Sequence, residues 1–253
     1  MMMKKKQAIY WCHFFAVVMI GLFLTGCTKA DKYAQLKEED KQLVVTQERE
    51  KPFGEFEYVD ITQEEGLDLM EDKFDLPLPD YYSQMDQFVQ KYFETKTIQQ
   101  GKTHSVLYAN VNTLNFRTIY TFYKEKELAL AFIVDLDYSF SADEKIAFLE
   151  KQAFNLKIAP VDGSLPQDNF DELIYGLAEV MKIDGIDSYL AGYKKQITGV
   201  EEQLGNQRIR LFDNAEKKEK NKELSKEIVV IYDSGSTFRE INAIIQDDIV
   251  VEK

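Results

Sequence analysis

From Met85 onward the apolar positions fall at Met85, Phe88, Val89, Tyr92 and Phe93. That spacing of i, i+3, i+4, i+7 and i+8 predicts one amphipathic helix. Upstream, Thr62-Gln63-Glu64-Glu65 fits a capping box and opens a short helix carrying Leu67, Met70 and Phe74. Leu76-Pro77-Leu78-Pro79 ends it, because proline lacks the donor a helix needs and restricts the residue before it. The period then changes to two. Val106, Tyr108 and Asn110 alternate with Leu107, Ala109 and Val111. Phe116 to Tyr123, Lys124-Glu125-Lys126-Glu127 and Leu128 to Leu136 read as an antiparallel hairpin with a charged turn. The second strand is apolar on both faces (Leu130, Ala131, Phe132, Ile133, Val134), which places it centrally in a sheet.

A second capping box, Ser141-Ala142-Asp143-Glu144, predicts a helix with Ile146, Leu149, Ala153 and Leu156 inward. Asn169-Phe170-Asp171-Glu172 starts a further helix striped by Phe170, Leu173, Ile174, Leu177 and Met181, with Gly185 suited to the left-handed position that stops it. Ile186, Leu190, Tyr193, Ile197, Val200 and Leu204 alternate steps of four and three, as in a long packing helix ending at Gly205. Arg208 to Phe212 reads as a strand, and Glu216 to Lys226 as a charged helix or loop. Ile228 to Tyr232, a turn at Asp233-Ser234-Gly235-Ser236, and Phe238 to Ile245 form a terminal hairpin. Hairpin connections point to antiparallel pairing. The expected class is therefore α+β: an antiparallel sheet built from hairpins and packed against several amphipathic helices.

The N-terminus has a different pattern. Lys4-Lys5-Lys6 precedes an apolar stretch from Phe14 to Leu24, and Leu24-Thr25-Gly26-Cys27 follows. A positive start before a short apolar run is the pattern of a signal peptide. Leu24, Thr25, Gly26 and Cys27 resemble the lipobox of bacterial lipoproteins over residues 1–27. The resemblance implies diacylglycerol on the Cys27 thiol, cleavage before it, and a domain facing outward from the cell membrane. Two acyl chains would hold it there, since each buried CH₂ contributes about 0.8 kcal/mol. The same residues leave two other readings: a permanent signal anchor, or an ordinary cleaved signal in which Cys27 is incidental. The organisation expected is a signal peptide over 1–26, a lipidated Cys27 with a charged tether over 27–52, and one exported domain over 53–253. Composition rich in Lys and Ile suggests a Gram-positive source.

Charge sharpens the picture. The 253 residues carry a net −13, and removing 1–26 takes away three Lys and no acid, leaving −16. Apart from two short runs among acids, Lys194-Lys195 and Lys217-Lys218, which read as helix surface, Lys and Arg are not clustered; such an acidic chain argues against nucleic acid as a partner and favours a cationic peptide or protein. Cys12 and Cys27 are the two cysteines; with Cys12 removed and Cys27 lipidated, no disulfide is expected.

Candidate chemistry is sparse. His104 is the one histidine beyond the signal segment, and no Gly-x-Ser-x-Gly elbow is present. No metal site or cofactor is expected. Asp135, Asp137 and Ser139 start like a calcium loop, but Phe140 stands where it needs glycine and Ile146 where it needs glutamate. Asp233 to Thr237 could cradle an anion but reads more simply as a hairpin tip, and Glu64/Glu65, Glu71/Asp72 and Asp247/Asp248 read as solvated surface. The suggestive feature is aromatic: Tyr108, Tyr120, Tyr123 and Tyr138 lie on strands, where exposed Tyr makes a rigid amphipathic binding surface. The function expected is a surface lipoprotein that binds a partner without catalysis. The alternatives are a carboxylate-based hydrolase acting on cell-wall or lipid-linked material, and a solute-binding accessory lipoprotein.

Overall fold

The computed structural model describes residues 33–159, 169–216 and 222–248. Its contacts divide the chain into residues 1–34 and residues 35–253, and the second unit holds the fold. Cys27 and the lipobox lie outside the described residues, as do Lys217 and Lys218.

Along the chain, α1 (Glu38–Lys41), β1 (Thr46–Glu48) and β2 (Phe56–Ile61) come first. Helix α2 (Gln63–Asp68) runs into a wider π turn at Leu69–Lys73, and a 3₁₀ turn at Asp80–Gln84 leads into α3 (Met85–Phe93). Strands β3 (Ile98–Gln100), β4 (His104–Asn110), β5 (Thr113–Lys124), β6 (Glu127–Ser141) and β7 (Ile146–Ile158) follow. Helices α4 (Phe170–Val180) and α5 (Ile186–Ile197) precede β8 (Arg208–Asp213), β9 (Ser225–Tyr232) and β10 (Phe238–Gln246). All pairings are antiparallel, in the order β2-β4-β5-β6-β7-β10-β9-β8, with β3 beside β5 and β1 beside β7. The fold is α+β, as the hairpin pattern predicts, and β6 is central.

Alternation decides which face is covered. On β5, Leu114, Phe116, Thr118, Tyr120 and Phe122 are buried, whereas Asn115, Arg117, Ile119 and Thr121 are not. The buried face continues through Phe132, Val134 and Leu136, then Phe154 and Leu156, then Ile241 and Ala243, then Ile228 and Val230. Phe93 packs on Phe122 and Phe132, Tyr82 on Phe116, and Tyr81 on Phe154, so α3 and the turn before it cover β5 to β7. Tyr189 packs on Phe212, and the Tyr193 and Tyr232 hydroxyls meet at 2.6 Å, so α5 covers β8 and β9. Gly66 lets α2 approach closely, since a Cβ there would lie 2.8 Å from the Phe116 ring. Among the described residues, the ring contacts between helices and strands fall on this one face; the other is mostly half-buried or exposed, with Asp135, Ala153 and Val229 buried on it. An antiparallel sheet solvated on one side reads this way.

Three expectations about local structure are corrected. Residues 146–158 are not a helix but the strand β7, paired with β6 and β10. The capping signal serves a hairpin turn instead: the Ser141 hydroxyl accepts from the Glu144 amide at 3.3 Å, and Lys145 takes φ 55°. A bulge between Asp137 and Tyr138 in the β6–β7 register shifts the phase of β7, so that Ala147 and Leu149, then Gln152, Phe154 and Leu156 face inward. Two-residue alternation with one slip imitates a helical stripe. The long helix to Gly205 stops at Ile197, where Gly199 adopts φ 82° and a 3₁₀ turn at Glu201–Gln203 intervenes.

The third correction concerns the tether. From Gln35 the chain already belongs to the folded unit. Leu36 and Leu43 are buried, β1 pairs with β7, and the Gln152 side chain donates to Leu43 O at 2.9 Å. Asp40 is buried as well, with one carboxylate oxygen 2.5 Å from Lys226 Nζ and the other accepting from the Leu224 amide at 2.6 Å. Residues 35–48 are therefore an arm locked onto the sheet, which sequence could not show because its anchor points lie roughly a hundred to 186 residues away.

Candidate functional site

The strands divide the four tyrosines into two pairs. Tyr120 and Tyr138 point into the covered face and are 0% and 1% exposed, so they belong to the core and not to a binding surface. Burial pushes both phenols well above the usual tyrosine range. Tyr120 accepts from Gln63 Nε2 at 3.2 Å, and Tyr138 donates to Pro77 O at 2.7 Å. Their hydroxyls tie the helical layer to the sheet. Tyr108 and Tyr123 are 51% and 38% exposed. They do not meet: Tyr108 pairs with Asn115 near the 110–113 turn, and Tyr123 pairs with Leu128 beside the 124–127 turn.

Tyr108 lines a depression of about 310 Å³ on the solvated face, together with Asn115, Asp137, Ser139, Glu150 and Lys151. Here the would-be calcium ligands line up along β6 at period two, as strand residues and not as a loop. Each acid is engaged. Arg117 grips Asp135 through Nε at 2.6 Å and a terminal nitrogen at 3.2 Å, and that carboxylate holds the guanidinium pKa above its usual value. Asn115 Nδ2 donates to Asp137 at 2.6 Å, Lys151 Nζ lies 3.5 Å from it, and Ser139 donates to Glu150. Further across, Arg210 pairs with Glu227 at 2.7 Å and Lys157 with Glu240 at 3.9 Å. These are cross-strand charge pairs that fix register.

Other candidates resolve into local structure. His104 opens β4, with Nδ1 2.7 Å from Asp60, and its neighbour Ser105 is buried on the opposite face. The Asp233 turn fills itself: the carboxylate accepts from the Gly235 and Thr237 amides at 2.9 Å each and from Arg239 Nε at 2.7 Å. The Arg239 guanidinium and those amides hold the Asp233 pKa below the usual carboxylate range. Glu65 completes the Thr62 capping box. Lys194 pairs with Asp171. Among the described residues no group of three or more His, Cys, Asp or Glu side chains could hold a metal ion.

Sequence reading missed where the charge sits. Residues 38–94 contain 17 Asp and Glu against 5 Lys and Arg, a net −12. They build the arm, the β2 edge and the helical layer. Glu64, Asp68, Glu71, Asp72 and Asp80 are exposed there and make no ion pair among the described residues. Lys73 lies among them but is turned aside, over the Phe56 ring at 3.3 Å and against the Tyr58 hydroxyl. A running charge count over the chain would have found this block. No helix of the described residues is long and apolar enough to cross a membrane. Comparison of the chain with protein-family models, with curated proteins and with solved structures finds no match.

Proposed function

We propose that this is a membrane-anchored surface lipoprotein whose acidic domain binds a cationic peptide or protein without catalysis. The observation that carries the partner chemistry is the separation of charge between the two sides of the sheet. On the solvated face Asp135, Asp137, Glu240 and Glu227 pair with Arg117, Lys151, Lys157 and Arg210, whereas on the helical layer Glu64, Asp68, Glu71, Asp72 and Asp80 are exposed and make no ion pair among the described residues. Such a surface concentrates cations from a distance, and the attraction falls steeply with salt. The anchor reading rests on Leu24-Thr25-Gly26-Cys27.

Calorimetry with a Lys-rich peptide tests the partner. Binding at low ionic strength should weaken in about 0.5 M salt, where the Debye length falls to a few ångströms. It should also weaken when Glu64, Asp68, Glu71 and Asp72 are changed together to their amides. No binding at low salt, or binding indifferent to the four changes, overturns the reading. For the anchor, Cys27→Ala should abolish diacylglycerol attachment and alter the processing of the signal segment; unaltered processing would refute it.

A further inference from the structure

We propose that the arm over residues 35–48 acts as a fixed strap that sets which end of the domain is held at the lipid surface. The inference rests on lipidation of Cys27. Were the tether free to residue 52, its 26 peptide steps could extend about 90 Å at ~3.5 Å each, and no orientation would follow. The strap removes most of that length. Only eight steps separate Cys27 from Gln35, a reach of about 28 Å at most.

The strap also lies at one end of the sheet. Lys37 N donates to Lys222 O at 3.1 Å, just ahead of β9, and the Lys37 and Glu223 side chains pair. Asp40 holds Leu224 and Lys226 at the start of β9, Val45 O accepts from Leu149 N at 2.9 Å, and β1 pairs with residues 146–148 at the start of β7. That end also carries the 142–145 turn. The opposite end carries the β5–β6 turn with exposed Tyr123 and Leu128. Strand β6 joins the two ends through 15 residues, about 46 Å at 3.3 Å per residue.

The lock does not come undone without cost. Lys226 sits on the covered face, 4% exposed, opposite Ile245. Releasing the arm would take the Asp40 carboxylate away from that ammonium, leaving it the Lys182 carbonyl at 2.9 Å and the charge of Glu223 nearby. So the 142–145 end stays within reach of the bilayer, while the Tyr123–Leu128 tip is free to stand away from it and face partners.

The test uses the full lipidated protein in vesicles with acceptor-labelled headgroups. A fluorophore is placed on Asp143→Cys or on Glu127→Cys, both exposed positions, and Cys27 carries its lipid. Energy transfer from position 143 should exceed that from 127 by at least about twofold, given the strand length between them. Inserting 20 Gly/Ser residues between Ala34 and Gln35 should collapse the difference. Equal transfer from both positions, or a ratio unmoved by the insertion, overturns the strap. The mass of the Cys27 peptide is read on the same sample. A peptide without diacylglycerol sinks the lipoprotein reading, and the strap with it, as an outcome distinct from equal transfer in lipidated protein.

Discussion

Replacing Asp40 with alanine is the sharpest probe of how the domain is closed. Asp40 and Lys226 are 2% and 4% exposed, with 2.5 Å between the charged atoms. The substitution leaves Lys226 buried and charged, and breaking a buried pair in this way costs about 3–5 kcal/mol. The Lys182 carbonyl still accepts from Nζ, which places the loss toward the lower end of that range. The Leu224 amide loses its acceptor as well, adding about 1 kcal/mol or more. Together about 4 kcal/mol should disappear, a large part of the stability of an ordinary domain. In urea, with a slope of about 2 kcal/mol/M, the midpoint should fall by roughly 2 M. Far-UV circular dichroism of the unlipidated domain over residues 28–253 reads it. The double change Asp40→Leu with Lys226→Met removes both charges and should recover most of the loss, as matched apolar replacements of buried pairs do. A loss under about 1 kcal/mol for Asp40→Ala would refute the argument that the arm is pinned by this pair.

Two further outcomes follow from the core. Burial raises the Tyr82 phenol to about 12 and lifts Tyr120 and Tyr138 further; the unfolded chain releases these protons near 10, so stability should hold below that pH and decline as pH rises above it. Absorbance titration at 295 nm showing all tyrosines ionised by pH 11 in the folded protein would contradict this. Gly66→Ala should destabilise by about 1–3 kcal/mol through overpacking, because its methyl would meet Phe116 at 2.8 Å and Ser105 Cβ at 3.2 Å; an unchanged melting temperature would show that α2 gives way freely.

Much of the fold was legible because its signals are local. The Thr62 capping box, the Met85–Phe93 stripe, the β5–β6 hairpin and the terminal hairpin each declare themselves within a dozen residues. What escaped depends on distance or on phase. The β7 bulge offsets a period of two until Ile146, Leu149, Ala153 and Leu156 mimic a helix, and only pairing with β6 and β10 decides otherwise. Gly185 does adopt φ 67°, but there it opens α5, while Lys182 takes the left-handed turn that closes α4. The tyrosines could have been sorted by alternation alone, since Tyr120 shares the parity of Phe116 and Phe122. Nothing near Asp40 in the sequence announces Lys226.

The position of β7 has a kinetic consequence. One stretch of it pairs with β1, from the start of the folded unit, and the next with β10, from its end. The sheet thus cannot be completed until the last strands are available, and the chain must close loops of about a hundred residues before either contact rewards it. Slow, late folding is the expected behaviour of such a topology. If the proposed export holds, delay of that kind would keep the chain competent for passage until all of it has arrived on the far side.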